Sequence, residues 1–178
     1  MSKSFISTGI DIGSDSIKIL VTTKKSSDGS IQVLVQNSEP AKGMRKGVVV
    51  KPQKVSNIIK SLVKKASQQI GRDINSVYVN LGGSHLFSTS SQGLISVSRA
   101  DRKISQEDIN RVLKEAKTFS LPTLKEVFDS FPKEFIIDGQ EGIKEPLGLE
   151  GVRLEAKVLV LGAFSPYLEN LTQSVLDA

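Results

Sequence analysis

The residues best suited to chemistry lie near the start of the chain, in Gly9-Ile10-Asp11-Ile12-Gly13-Ser14-Asp15-Ser16-Ile17-Lys18. An acid ends an apolar run, a Gly-Ser turn follows, and Lys18 returns on the partner strand. On a strand–turn–strand element these residue types make a site for a phosphate group. Gly13 lets the backbone approach a ligand closely. Turn amides and the Ser14 hydroxyl can donate to phosphate oxygens. Lys18 brings a compact positive charge, and Asp11 can hold a magnesium ion through water. The candidate cofactor-binding residues are Asp11, Gly13, Ser14, Asp15 and Lys18. Taken alone, the same turn also suits an ordinary hairpin.

Elsewhere the sequence offers no catalytic residue. There is no cysteine and one histidine, which excludes disulfides, thiolate metal sites and multi-histidine metal sites. Ser84-His85 is not a nucleophile and base, because neighbours on a strand point to opposite faces. His85 therefore reads as structural. Glu141 and Glu145 lie one helical turn apart, but Gly142 and Pro146 oppose the helix that would align them. Gly139, Gly142, Gly148 and Gly151 read as turn residues, since no strand-to-helix junction follows them.

The elements that must position the turn follow from apolar periodicity. Phe5 to Ile12, Ser16 to Lys24 and Ile31 to Gln36 form a meander of strands, with turns at Gly13-Ser14-Asp15 and Ser26-Ser27-Asp28-Gly29. After a loop from Ala41 to Gly47, Pro52 opens a helix. Val55, Ile58, Ile59, Leu62, Val63, Ala66 and Ile70 form its apolar stripe, and Gly71 ends it. A strand over Ser76 to Leu81 stops at Gly82-Gly83. The following stretch reads as a separate small unit. It has strand character at His85–Ser90 and Leu94–Ser98, then a helix capped by Ser105 with Asp108 in a capping box. Pro122 lies past that helix. Strands over Val127–Ile137 and Val152–Leu161 flank a Gly-rich loop from Asp138 to Gly151. Pro166 starts a last helix, with Leu168, Leu171, Val175 and Leu176 on its buried side.

The composition is that of a soluble globular protein, 38% hydrophobic and 24% charged. No apolar run is long enough for a secretory signal or a membrane span, so a cytoplasmic location is expected. The net charge of +5 is concentrated in Lys42, Arg45, Lys46, Lys51, Lys54, Lys60, Lys64 and Lys65. With no aromatic residue among them, they read as a solvated face and not as a nucleic-acid site.

The opening segment, Gly9 to Ser14 inside a meander, resembles the first phosphate loop of the actin superfamily. Four later segments are similar to the FtsA family of bacterial cell-division proteins. They are Lys42-Gly43-Met44-Arg45-Lys46-Gly47-Val48, then Ser76 to His85, Pro132 to Ile143 and Pro146 to Leu154. The resemblance runs from about Thr8 to the end of the chain. The type IV pilus protein PilM shares the fold and opens similarly. The segments Ile137-Asp138-Gly139-Gln140-Glu141-Gly142-Ile143 and Gly148 to Leu154 favour FtsA over it.

This resemblance implies an α/β fold. Residues 1–83 and 156–178 would form an actin-like subdomain, 1A, around a five-stranded mixed sheet. Residues 84–155 would form an inserted strand-helix-strand-strand (SHS2) subdomain, 1C. It further implies a scaffold that self-associates through 1A and 1C and meets later division proteins through 1C. The cofactors of the full-length family would be ATP and magnesium, with binding by this chain weak or absent. The second phosphate loop, the site for FtsZ and the helix that reaches the membrane at the division site would lie beyond Ala178. An ATP-binding and hydrolysing module in its own right is the alternative.

Overall fold

The computed structural model describes residues 6–25, 28–118 and 123–178. Phe5, Ser26, Ser27 and Pro122, named above in a strand, a turn and a helix stop, lie outside the described residues. The chain divides into two compact units: residues 1–85 with 166–178, and residues 86–165.

In the first unit, alternating side chains build the sheet. Strands β1 (Ile6–Ile12), β2 (Ser16–Lys24) and β3 (Ile31–Pro40) form an antiparallel meander. Strand β4 (Met44–Arg45), inside the segment expected as a plain loop, pairs with β5 (Val48–Val49) just past it. Helix α1 (Pro52–Ile70) follows, with Pro52 in its first turn and Gly71 as its left-handed cap at φ 68°. Strand β6 (Tyr78–Val79) then joins β1 in parallel, giving the order β3-β2-β1-β6. Ile10, Ile12, Ile17, Ile19, Val21 and Val35 share one face of this sheet and pack with Val55, Ile59, Leu62 and Ala66 of α1. Leu171 of α3 (Ser165–Leu176) joins the same core.

Three expectations change here. The mixed sheet has four strands, not five, because the strand expected over Val152–Leu161 pairs along its whole length in the other unit. The strand over Ser76–Leu81 shortens to two residues, while β3 runs on to Pro40, which pairs with Ser16. A proline is tolerated at this position because β3 is an edge strand. On α3, Leu176 is exposed and Ser174 takes a buried position. Its hydroxyl donates to Asn170 O at 2.7 Å, which removes the penalty of burying it.

The second unit is an antiparallel sheet with one helix. It comprises β7 (Leu86–Ser96), α2 (Gln106–Lys117), β8 (Lys125–Ile137), β9 (Gln140–Ile143) and β10 (Arg153–Phe164). The sheet order is β7-β10-β8-β9. The two stretches of strand character around Gly93 are one continuous strand. β9 lies inside the expected Gly-rich loop, turned back by Asp138 at φ 48° and Gly139 at φ 90°, the backbone a tight hairpin turn needs. α2 has the expected capping box: Ser105 and Asp108 each accept the other's backbone N–H. Ile109, Val112 and Ala116 then pack with Leu154, Ala156, Val158 and Val160. A Cβ on Gly93 would stand 2.4 Å from Ala116 N and Val112 O. Glycine is what lets α2 rest directly on the strand. β10 pairs with β7 and β8 throughout, so this strand, expected in the first unit from residue 156, belongs to the second.

Candidate functional site

The β1–β2 hairpin puts Asp11 directly opposite Lys18, and their side chains form an ion pair at 3.3 Å. Both are about half exposed, at 52% and 55%. Such a pair adds roughly 0–1 kcal/mol to stability, so folding alone gives little reason for it. Gly13 N–H donates to Ser16 O at 3.1 Å, and a Cβ on Gly13 would come within 2.9 Å of that oxygen. The glycine is therefore required by the hairpin itself. Its amide is spent there, leaving the Ser14 and Asp15 amides as the turn's donors. Ser14 Oγ accepts Gly47 N–H at 2.8 Å, so the serine hydroxyl proton is left to donate elsewhere. Asp15 holds Ala41 N–H on its backbone oxygen at 2.8 Å. All five expected residues thus lie on one hairpin, Asp11 and Lys18 on its strands and Gly13, Ser14 and Asp15 in its turn. Ser14 and Asp15 tie it to the segment after β3.

The sequence reading passed over Asn80. Its Oδ1 accepts Ile12 N–H at 2.8 Å, one residue before the turn. The signal was an amide side chain directly after a short strand, a place where it can replace a missing backbone acceptor. Asp11, Lys18 and Asn80 line an open groove of about 730 Å³, walled by Leu20, Val33, Tyr78 and Val79. This is within the size range of small-molecule sites.

His85 lies in a turn before β7, not on a strand as expected. Its ring meets the edge of Tyr167 at 5.3 Å, and its nitrogens are buried with no hydrogen-bonding partner. Burial lowers its pKa from the ordinary 6.5. Ser84 and His85 form no nucleophile–base pair among the described residues.

The basic residues from Lys42 to Lys65 are all exposed. Lys65 pairs with Glu39 at 2.7 Å. Lys65 and the Ser61 hydroxyl together hold the Glu39 carboxyl below its usual range. Among the described residues no helix is long and apolar enough to cross a membrane.

Residues 83–161 match the family described as the SHS2 domain inserted in FTSA. The chain is also similar to three cell division proteins FtsA. It is 35% identical to that of Pseudomonas aeruginosa over 94% of its length, 35% to that of Streptococcus pneumoniae over 98%, and 31% to that of Escherichia coli over 94%. It spans only 39%, 38% and 39% of those relatives. Among solved structures it is similar to a chain of a PilM-PilN type IV pilus biogenesis complex. The TM-score is 0.57 and the identity 16%, covering 97% of this chain and 44% of that one; at that identity the likeness is one of fold. An FtsA-type SHS2 domain at residues 83–161 thus lies within a similarity to cell division proteins FtsA that runs along nearly the whole chain.

Proposed function

We propose that this chain is the part of a cell-division scaffold that carries the first phosphate loop of an ATP site and an SHS2 module for protein contacts. The carrying observation is the FtsA-type SHS2 domain at residues 83–161, following a hairpin that carries Asp11, Gly13, Ser14, Asp15 and Lys18. Residues 1–85 with 166–178 would act as subdomain 1A and residues 86–165 as 1C. Self-association would run through both, and later division proteins would dock on 1C. FtsZ and membrane contacts would come from parts of the full-length family protein outside this stretch.

The donor set fits a magnesium–nucleotide. Lys18 Nζ, the Ser14 hydroxyl and the Ser14 and Asp15 amides all donate, and phosphate oxygens only accept. Asp11 suits a water-held Mg²⁺, which keeps much of its hydration shell and needs few protein carboxylates. Bound nucleotide would supply the charge that organises the turn. The protein's share is to hold the hairpin rigid, through Gly13 on Ser16 and Ser14 on Gly47, so that its donors are already aimed.

Sedimentation velocity of the purified chain, with and without Mg-ATP, tests the scaffold reading. Concentration-dependent species larger than a monomer are expected. Calorimetry with Asp11→Ala and Lys18→Ala tests the nucleotide reading, and either change should weaken binding about tenfold or more. A chain that stays monomeric at all concentrations would sink self-association.

A further inference from the structure

We propose that Asn80 is itself a ligand-binding residue of the groove, a fixed neutral donor to a phosphoryl oxygen. The inference rests on the nucleotide reading above.

The argument starts from where the β1–β6 ladder ends. β6 pairs with β1 only through Gly9↔Tyr78 and Ile10↔Val79. Ile12 lies past that ladder, and its N–H goes to Asn80 Oδ1 at 2.8 Å. Because the partner is an N–H, the atom facing Ile12 must be the carboxamide oxygen. The orientation of the amide is thereby set. An asparagine amide carries two donor hydrogens on the nitrogen opposite its oxygen. With Oδ1 held by β1, Nδ2 is directed away from Ile12. Asn80 is exposed and lines the groove beside Asp11 and Lys18, and Nδ2 donates to no described residue. A rotatable asparagine would lose entropy on binding; one already pinned loses less.

A second observation points to a ligand at the same place. Gly9 faces this groove from the interior of β1. Its φ is not left-handed, and a Cβ built on it would meet nothing within 4 Å. Neither backbone strain nor packing explains a glycine there. A glycine inside a strand without such a reason marks a place where something approaches the backbone closely. Any side chain at residue 9 would occupy groove space next to Asn80, Asp11 and Lys18.

The chemistry is selective. Lys18 supplies charge, whereas Asn80 supplies direction. A neutral, oriented donor matches an acceptor-only oxygen and gives nothing back to a group that carries hydrogens. The geometry therefore favours an acceptor oxygen, such as that of a phosphoryl ester, over an ammonium group at this point.

The test is a titration of the full chain with Mg-ATP, followed by nitrogen-15 NMR, which reads binding into the millimolar range. The Asn80 side-chain NH₂ pair should move along the same saturation curve as the Ser14 and Asp15 amides. Asn80→Asp keeps an acceptor for Ile12 N–H but removes the donor. It should fold like the parent while binding weakens about tenfold or more. Asn80→Ala should lose both, with the Ile12 amide exchanging faster as an independent sign of the lost pin. If Mg-ATP moves the turn amides but not the Asn80 NH₂ pair, and Asn80→Ala binds as the parent does, Asn80 only pins the strand and the inference is overturned. If no resonance of the parent moves, the nucleotide reading and this inference fall together. Loss of binding in Lys18→Ala alone would leave the nucleotide reading standing without Asn80.

Discussion

The two units each bury one face of a sheet under helix, and they finish the opposite face in contrary ways. In the second unit that face is charged and paired at one end, from Arg153 to Lys157, while Leu94 and Phe131 elsewhere on it stay exposed. Glu155 is largely buried yet takes a hydrogen bond from Gln92 and an ion pair from Arg153 at 2.8 Å. Lys157 lies between Glu134 at 2.9 Å and Glu141 at 3.2 Å. The charged end is complete in water. In the first unit the opposite face carries Leu20, Val33 and Tyr78, all substantially exposed, around the Asp11–Lys18 pair. Apolar side chains flanking a few polar groups are the composition of a ligand groove and not of a finished surface. The chemistry proposed for this protein lies on the face that folding leaves incomplete.

Glycines give the strongest way to break that comparison. Gly93 belongs to the finished unit and Gly9 to the open one. A methyl at Gly93 collides with the backbone of α2, which cannot move without unpacking Val112 and Ala116. Gly93→Ala should therefore destabilise the second unit by about 3 kcal/mol, the upper end of ordinary overpacking. Gly9→Ala meets open space. It should leave urea stability unchanged or slightly raised, through a less flexible unfolded chain, while lowering Mg-ATP binding. Comparable losses of stability in the two variants would mean that the first unit's groove is not open, and the contrast would fail.

Acid should separate the units next. Both ring nitrogens of the half-buried His85 are shut off from water without a partner, and of the other residues lining its small cavity only Tyr167 is titratable, with no carboxylate to balance a charge. Below its ordinary 6.5 the unfolded chain binds a proton that the native ring resists, so the first unit loses stability as pH falls through that value. Asp108 has the opposite sign. The Ser105 hydroxyl, the Ser105 backbone N–H and Arg111 hold its carboxyl below 3.8. Its contribution to the second unit is complete above that value and is lost only as pH falls below it. Protection factors of α1 amides, corrected for the intrinsic pH dependence of exchange, should therefore fall between pH 6.5 and 3.8 while those of α2 hold. His85→Gln should remove the difference. The lone histidine makes its ring signal an unambiguous check.

The first unit's hairpin was legible because local rules fix it: alternation over β1 and β2, and a Gly-Ser turn too short for any other closure. α1 and α2 were legible from Pro52, Gly71 and the Ser105–Asp108 box, each a local signal at a helix end. The strand over Val152–Leu161 was legible as a strand but not as a partner. Which sheet it joins depends on cross-strand packing with residues some sixty positions upstream, such as Gln92 against Lys157, and no local pattern carries that. Asn80 was hidden for a similar reason. Its role comes from Ile12, distant in sequence, and from a ladder that stops early.

The smallest expected effect concerns the open face itself. Leu20→Ser and Tyr78→Ser remove apolar area that is already 41% and 74% exposed. Little burial is lost, so each should change unfolding free energy by no more than about 0.5 kcal/mol. What should change is the surface. Binding of an apolar fluorescent dye should fall and solubility should rise, because the walls of the groove become polar while Asp11, Lys18 and Asn80 keep their places. The matching change in the second unit, Arg153→Ala, should leave the dye signal alone and instead destabilise by about 1–2 kcal/mol. It takes away the partner of the largely buried Glu155 carboxylate. A polar substitution that is nearly free on one sheet and an uncharging that is costly on the other are the two halves of one statement: the second unit's outer face is held around Glu155 by its own charges, and the first unit's around Asp11 and Lys18 is not held by its own side chains. Were Tyr78→Ser to destabilise as much as Arg153→Ala, the first unit's apolar residues would be packing against one another, and the groove would be a closed surface with no room for a nucleotide.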